Sequence, residues 1–325
     1  MSTDEAYAAF KAIRFADSGG EPICPECACD TIYALKRGGV FRCKACVKEF
    51  TLTSGTIFAS RKMSLRDILT AIALFVNGVD GVAALRLSRE LNCDYKTAFV
   101  LEHKLREVLG AMRAQHKLTG VVEIDGAWVG GHIKPMNIGN KREDRRKQNN
   151  GKRRSVVTMR ERGRGGRSLS FVFKGENESI ATVLAHVHES AMVITDEGTH
   201  WNVLAGYFDT RQVNHSKEYS QRNGVHTNIV ESFNSRLRRL ERGVHHRISG
   251  SYLQNYADEV GWREDYRRSS NGQQFAMIVG AAARQPISRN WKGYWQRRGP
   301  RLTSPLPPHG PPRPSSNVVA FRPRS

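Results

Sequence analysis

Asp125, Asp196 and Glu231 stand at positions where acidic side chains can do chemistry. The run "VVEIDGAWVGG" carries a β-branched apolar segment into Asp125, "AMVITDEG" ends a second such segment at Asp196, and Glu231 lies in a helix that begins near Asn228. Taken singly, an aspartate that ends a strand reads as a turn residue. Two strand-end aspartates on neighbouring strands, with a helical glutamate packed across them, can instead converge on one spot. Three carboxylates at one spot repel one another unless a cation sits among them, and oxygen donors suit Mg²⁺ or Mn²⁺. A pair of such ions activates a water or a 3′-hydroxyl and stabilises the leaving oxygen of a phosphodiester.

A second set of residues has metal-ligand spacing. Cys24-x-x-Cys27 and Cys43-x-x-Cys46 are separated by 15 residues, within the range of a structural Zn²⁺ site built from two knuckles. The intervening "IYALKRGGVFRC" reads as a hairpin turning at Gly38-Gly39, so residues 21–58 predict a zinc ribbon. Disulfides do not suit a reducing cytosol, and a redox C-x-x-C needs no second copy. Cys29 is surplus to the four.

The remaining elements must hold these groups in place. Residues 1–20 lead in as a helix, and residues 62–116 read as helices. "SLRDILTAIALFVNG" has Ser64 as a cap and Gly78 as a stop, and a short and then a longer helix follow. Short helix, turn, longer helix is the pattern of a helix-turn-helix. In that pattern Tyr95, Lys96 and Thr97, at the start of the longer helix, face base edges in the major groove of double-stranded DNA. Residues 119–270 change to strand-like runs, "VVEIDGAWVG", "RSVVTMRER" and "SLSFVFKG". A helical "ESIATVLAHVHES", a fourth strand and a last helix follow, which is an α/β order. Glu123 reads as a solvent-facing charge on that first strand and Trp128 as core. "IKPMNIGNKREDRRKQNNGKRR" has no apolar period and reads as a basic loop. Residues 271–298 form a C-terminal extension, and residues 299–325, rich in Pro, Ser and Arg, read as a disordered tail.

Composition narrows the function classes. Lys and Arg number 51 against 31 Asp and Glu, a net charge of +20, and 39 % of the residues are hydrophobic. A charge of that size repels itself unless a polyanion neutralises it, which makes DNA the expected partner. No apolar run is long enough to span a membrane and no leader precedes the first helix, so a cytoplasmic protein is expected.

The quoted motifs together resemble the bacterial insertion-sequence transposases of the DDE type that carry an N-terminal zinc ribbon. The resemblance spans roughly residues 20–270. It rests on "CPEC" and "CKAC", the following "LTSGTIF", "EIDGAWVGG", "VITDEG" and above all "HTNIVESFNSRLRR". It implies a ribonuclease-H-like catalytic domain whose acidic triad falls on Asp125, Asp196 and Glu231. His226 and Asn228 match the motif just before the glutamate. Arg238 takes the place of a basic residue set against the DNA backbone, and pairing two DNA ends implies a homo-oligomer in the active complex. Asn234 departs from the pattern, where a bulky aromatic is expected. The activity implied is binding of element ends followed by metal-dependent strand cleavage and strand transfer. Two alternatives use the same residues: a DNA-binding regulator descended from such an enzyme, and a nuclease that cuts without joining.

Overall fold

The computed structural model describes residues 1–131, 151–213 and 225–291. Most of the basic loop and the whole Pro-rich tail lie outside the described residues. Helix α1 (Thr3–Arg14) opens on a reciprocal cap, in which the Ser2 hydroxyl accepts from the Glu5 N–H and the Glu5 carboxylate accepts from the Ser2 N–H. A three-stranded antiparallel sheet follows, in the order β1 (Ile32–Ala34), β2 (Val40–Cys43) and β3 (Glu49–Thr51). Gly39, at φ +77°, turns β1 into β2. The third strand extends the hairpin read from the sequence; at three residues it is too short to show a period.

Three helices come next: α2 (Leu65–Asn77), α3 (Ala84–Glu90) and α4 (Tyr95–Arg113). The Ser64 hydroxyl caps α2 by accepting from the Asp67 N–H at 3.0 Å. One apolar core joins Phe10 of α1, Phe41 and Phe50 of the small sheet, Ile72 and Phe75 of α2, and Leu105 of α4. The same core takes in Ile278, Val279 and Ala282 of α8 (Asn271–Arg284). The segment read as a C-terminal extension therefore returns to the N-terminal elements and completes their core.

Between these lies a five-stranded sheet of β4 (Val121–Gly130), β5 (Arg153–Glu161), β6 (Ser168–Phe173), β7 (Met192–Asp196) and β8 (Asp209–Val213). Its order is β6-β5-β4-β7-β8. The first three strands pair antiparallel, whereas β7 runs parallel to β4 and β8 parallel to β7. Helix α5 (Ile180–His186) connects β6 to β7, and α6 (Asn228–Arg239) and α7 (Leu253–Asp265) follow β8. The period of two along β4 decides which core each residue enters. Val122 and Ile124 pack with Val183 and Trp201 on one face; Ala127 and Val129 pack with Phe233, Leu237 and Val260 on the other. The protein is thus a mixed α/β structure with its larger sheet covered on both faces.

Trp128 corrects one expectation. It is 46 % exposed, because it shares the face of Val122 and Ile124 but lies beyond their covered stretch.

Helices α4 and α7 are joined by buried charge. The Arg106 guanidinium donates to Glu102 at 3.2 Å and to Glu259 at 2.6 Å, and Arg263 donates to the other oxygen of Glu259 at 2.9 Å. Arg113 donates to Asp265 of α7 at 3.3 Å. Removing one partner from such a set leaves a buried charge uncompensated, so the two helices are held in one relative position. Among the described residues no helix is long and apolar enough to cross a membrane.

Candidate carboxylate and thiolate sites

Four thiols meet at one point. The sulfur atoms of Cys24, Cys27, Cys43 and Cys46 all lie within 4.8 Å of one another. Cys24 and Cys46 are 3.6 Å apart, and Cys27 and Cys43 are 3.5 Å apart. A tetrahedron of sulfurs at bonds of about 2.3 Å has edges of about 3.8 Å, so this donor set fits a closed structural Zn²⁺ site. The Cys43 thiol is lowered to about 6, first by the Cys46 backbone N–H that donates to it and then by the Cys27 side chain. Cys29 contributes its backbone carbonyl to the Cys24 N–H and is not one of the four.

The carboxylates are placed by longer-range structure. The parallel register of β4 and β7 sets Ile124 opposite Thr195, so Asp125 and Asp196 are the next neighbours along adjacent strands. Strands in a sheet lie about 4.8 Å apart, which keeps the two carboxylates together. Burial first, and the charge of Asp196 second, push the Asp125 carboxyl up to about 6. Its oxygens accept from the Gly126 N–H at 2.8 Å and from Asn234 Nδ2 at 2.8 Å. Asp196 accepts from the Gly198 N–H at 3.2 Å.

Glu231 stands in the first turn of α6, where its carboxylate accepts from the Thr227 hydroxyl at 2.9 Å. Among the described residues, the cysteines form the only group of three or more acidic, histidine or cysteine side chains with ligand atoms inside 4.8 Å. The structure therefore brings Asp125 and Asp196 side by side and leaves Glu231 on the neighbouring helix, not at one point with both. One further feature suits a cation here. The Asn234 side chain is 1 % exposed and its Oδ1 has no hydrogen-bond partner, while its Nδ2 holds Asp125.

The position of α6 depends on Glu123, and here the expectation of a solvent-facing charge is wrong. Glu123 is fully buried. One oxygen accepts from the Ile229 and Val230 N–H groups at 2.9 and 3.0 Å, which are free donors in the first turn of α6. The other accepts from Arg162 Nε at 2.6 Å and lies 3.2 Å from His226 Nδ1. Arg162 also donates to the His226 carbonyl at 2.6 Å. Helix α6 is thus tied to β4 at Glu123 and again at Asp125 through Asn234, with Glu231 between the two ties. The signal in the sequence is the E-x-D spacing: residues two apart on a strand face the same way, and here both face α6.

The other residues singled out by sequence lie elsewhere. His226 approaches Glu123, and Asn228 begins α6 with its side chain exposed. Arg238 is exposed and lines an open groove with Ser235, Arg239, Arg242 and Asp80. Tyr95 and Lys96 are exposed at the start of α4, and Thr97 is half-buried.

Residues 117–265 match the ISXO2-like transposase domain, and residues 1–49 match the transposase zinc-ribbon domain. The chain is also similar to an uncharacterized protein in transposable element ISH50 of Halobacterium salinarum. That relative is 24 % identical over 271 residues, which cover 80 % of this chain and 90 % of the relative. No solved structure matches.

Proposed function

We propose, from the premise that an ISXO2-like transposase domain at residues 117–265 follows a transposase zinc ribbon, that this chain cuts and rejoins DNA at its carboxylate site. The observation that carries the reading is the pairing of Asp125 with Asp196 at neighbouring strands, with α6 tied alongside. A sheet of three antiparallel strands continued by two parallel ones, in the order β6-β5-β4-β7-β8, supports a ribonuclease-H-like catalytic domain.

Asp125 and Asp196 would hold the divalent cations, Mg²⁺ or Mn²⁺, with Glu231 the third carboxylate on α6. Bound there, such ions activate the attacking oxygen and stabilise the one displaced. The protein's own groups do the positioning. Asn234 fixes the Asp125 carboxylate, and Glu123 fixes the start of α6. Tyr95, Lys96 and Thr97, at the exposed start of α4 after the short α3, read the DNA end as a helix-turn-helix does. Asn228 and Arg238, exposed on α6, face the DNA, and Arg238 contacts the backbone, while His226, turned toward Glu123, supports the start of α6. Two copies bring two ends together.

The test is a joining assay. Purified protein is incubated with labelled candidate ends, Mg²⁺ and a target plasmid, and the expected product is an end covalently joined to the plasmid. Cut but unjoined ends would make the protein a nuclease; bound and intact ends would make it a regulator.

A further inference from the structure

Resting on that reading of the carboxylates as a cation site, we infer that Glu176 is a fourth carboxylate of the site and shares the cation held by Asp125. Glu176 belongs to a short 3-10 turn, Glu176–Ser179, that leads from β6 into α5. It reaches β4 because Gly126, next to Asp125, has no side chain. A Cβ built on Gly126 falls 2.4 Å from Glu176 Cδ and 2.5 Å from its Oε1. The carboxylate occupies the space that any other residue at position 126 would fill. A glycine inside a strand marks such a close approach.

The contacts of Glu176 leave it available. Its Oε1 accepts from the Ser155 hydroxyl at 3.2 Å. Its Oε2 lies 3.6 Å from His200 Nε2, too far for a hydrogen bond, and that nitrogen is buried without a hydrogen-bond partner. The His200 ring in turn lies beside Asp196, since a Cβ on Gly198 meets His200 Cε1 at 2.7 Å and Asp196 Oδ1 at 3.1 Å. The negative charges of Asp196 and Glu176 both act on Asp125, and the three carboxylates stand more widely spaced than the four thiols, without all their ligand atoms inside 4.8 Å. The buried Asn234, whose Nδ2 donates to Asp125, keeps its Oδ1 without a hydrogen-bond partner, a second and independent pointer to a ligand beside that carboxylate. Three negative groups and an orphan oxygen with no Lys or Arg hydrogen-bonded to Asp125, Asp196 or Glu176 among the described residues are a donor set for an oxygen-loving ion.

Mn²⁺ binding to the full chain, followed by titration calorimetry and by the electron paramagnetic resonance of free Mn²⁺, tests the inference without turnover. Glu176→Gln keeps an acceptor for Ser155, and the expected result is Mn²⁺ affinity weakened about tenfold or more. Gly126→Ala leaves every carboxylate in the chain but pushes Glu176 away, and should weaken Mn²⁺ binding in the same direction. Asp125→Asn, the control on the underlying reading, should lose the site. Glu176→Gln and Gly126→Ala both binding within twofold of wild type, while Asp125→Asn does not bind, would overturn the role of Glu176 alone. Wild-type binding by Asp125→Asn would overturn the cation site itself, and Glu176 with it.

Discussion

The thiolate site and the carboxylate site are built on opposite plans. The four cysteines come from two loops of one small sheet, and their sulfurs converge within 4.8 Å by the local geometry of two C-x-x-C turns. The carboxylates come from β4, β7 and α6, and nothing local brings them together. Their arrangement rests on a parallel register and on buried polar ties from α6 to Glu123 and Asp125. A locally closed site is lost by changing a ligand. A site assembled at long range is also lost by changing residues that touch no ligand at all.

The largest expected effect breaks the carboxylate side of this comparison. Asp125→Asn removes one negative charge with almost no change of shape. Strand cleavage and joining should fall by about two to three orders of magnitude, as when one electrostatic contact to a transition state is lost. Binding of DNA ends should persist, and Asp196→Asn and Glu231→Gln should behave alike. A gel assay that finds Asp125→Asn cutting near the wild-type rate would remove this aspartate from the cation site.

On the thiolate side, Cys43→Ser should reduce bound zinc from about one per chain to almost none, measured by atomic emission, because the metal's binding energy is part of the folding energy. The damage should also spread. Cys24 and Cys43 are buried in the same core as Phe10 and Ile72, so α1 and α2 should lose protection from hydrogen exchange while the large sheet keeps it. Zinc retained at one per chain would remove Cys43 from the ligand set.

These two sites were unequally legible in the sequence. Spacing alone identified the cysteines, because a C-x-x-C turn fixes two sulfurs within four residues. Asp196 does end its strand, as the apolar run before it suggests. Asp125 was expected at a strand end and lies in the middle of β4, paired with Thr158 in a ladder that runs on to Gly130. No period shows that β4 and β7 are neighbours. The supporting residues were misread or missed for the same reason. Glu123 looks like an exposed charge until α6 is known to lie across it. Glu176 sits in a polar turn with no pattern, and its only trace in the sequence is the glycine beside Asp125. Asn234 appeared only as a departure from the family pattern, whereas in the fold it is the side chain that holds Asp125.

Glu123 separates the two plans with an intermediate effect. Glu123→Gln keeps an acceptor for the Ile229 and Val230 N–H groups but loses its charge opposite Arg162. Cleavage should fall by about 10- to 100-fold, the range for residues that orient ligands without touching the metal, with DNA-end affinity unchanged. Faster amide exchange at the start of α6 should accompany it. Glu123→Asp should recover part of the rate, since the charge returns. A wild-type rate for Glu123→Gln would show that Asn234 alone is enough to place α6.

The smallest effect concerns stability, and its sign follows from the carboxyl of Asp125. Burial and the charge of Asp196 raise it from 3.8 to about 6 in the folded chain. Without a cation the folded state thus binds more protons than the unfolded state between these values. The stability it contributes is full below about pH 4 and is lost as pH rises through about 6. Above pH 6 the metal-free fold carries a buried, crowded charge, and Asp125→Asn relieves it. In chelator at pH 7.5 the variant should therefore melt a few degrees higher than wild type, on the scale of about 2–4 °C per kcal/mol for a chain of this size. The two curves should meet near pH 4. Added Mg²⁺ should raise the wild type and leave the variant unmoved, because only the protein that binds the ion is stabilised by it. The thiolate site should show the reverse, its ligand changes costing stability at every pH where zinc is held. If the chelated variant melts at or below wild type at pH 7.5, Asn234 and the Gly126 N–H already offset the charge, and the carboxylates need no cation to sit side by side.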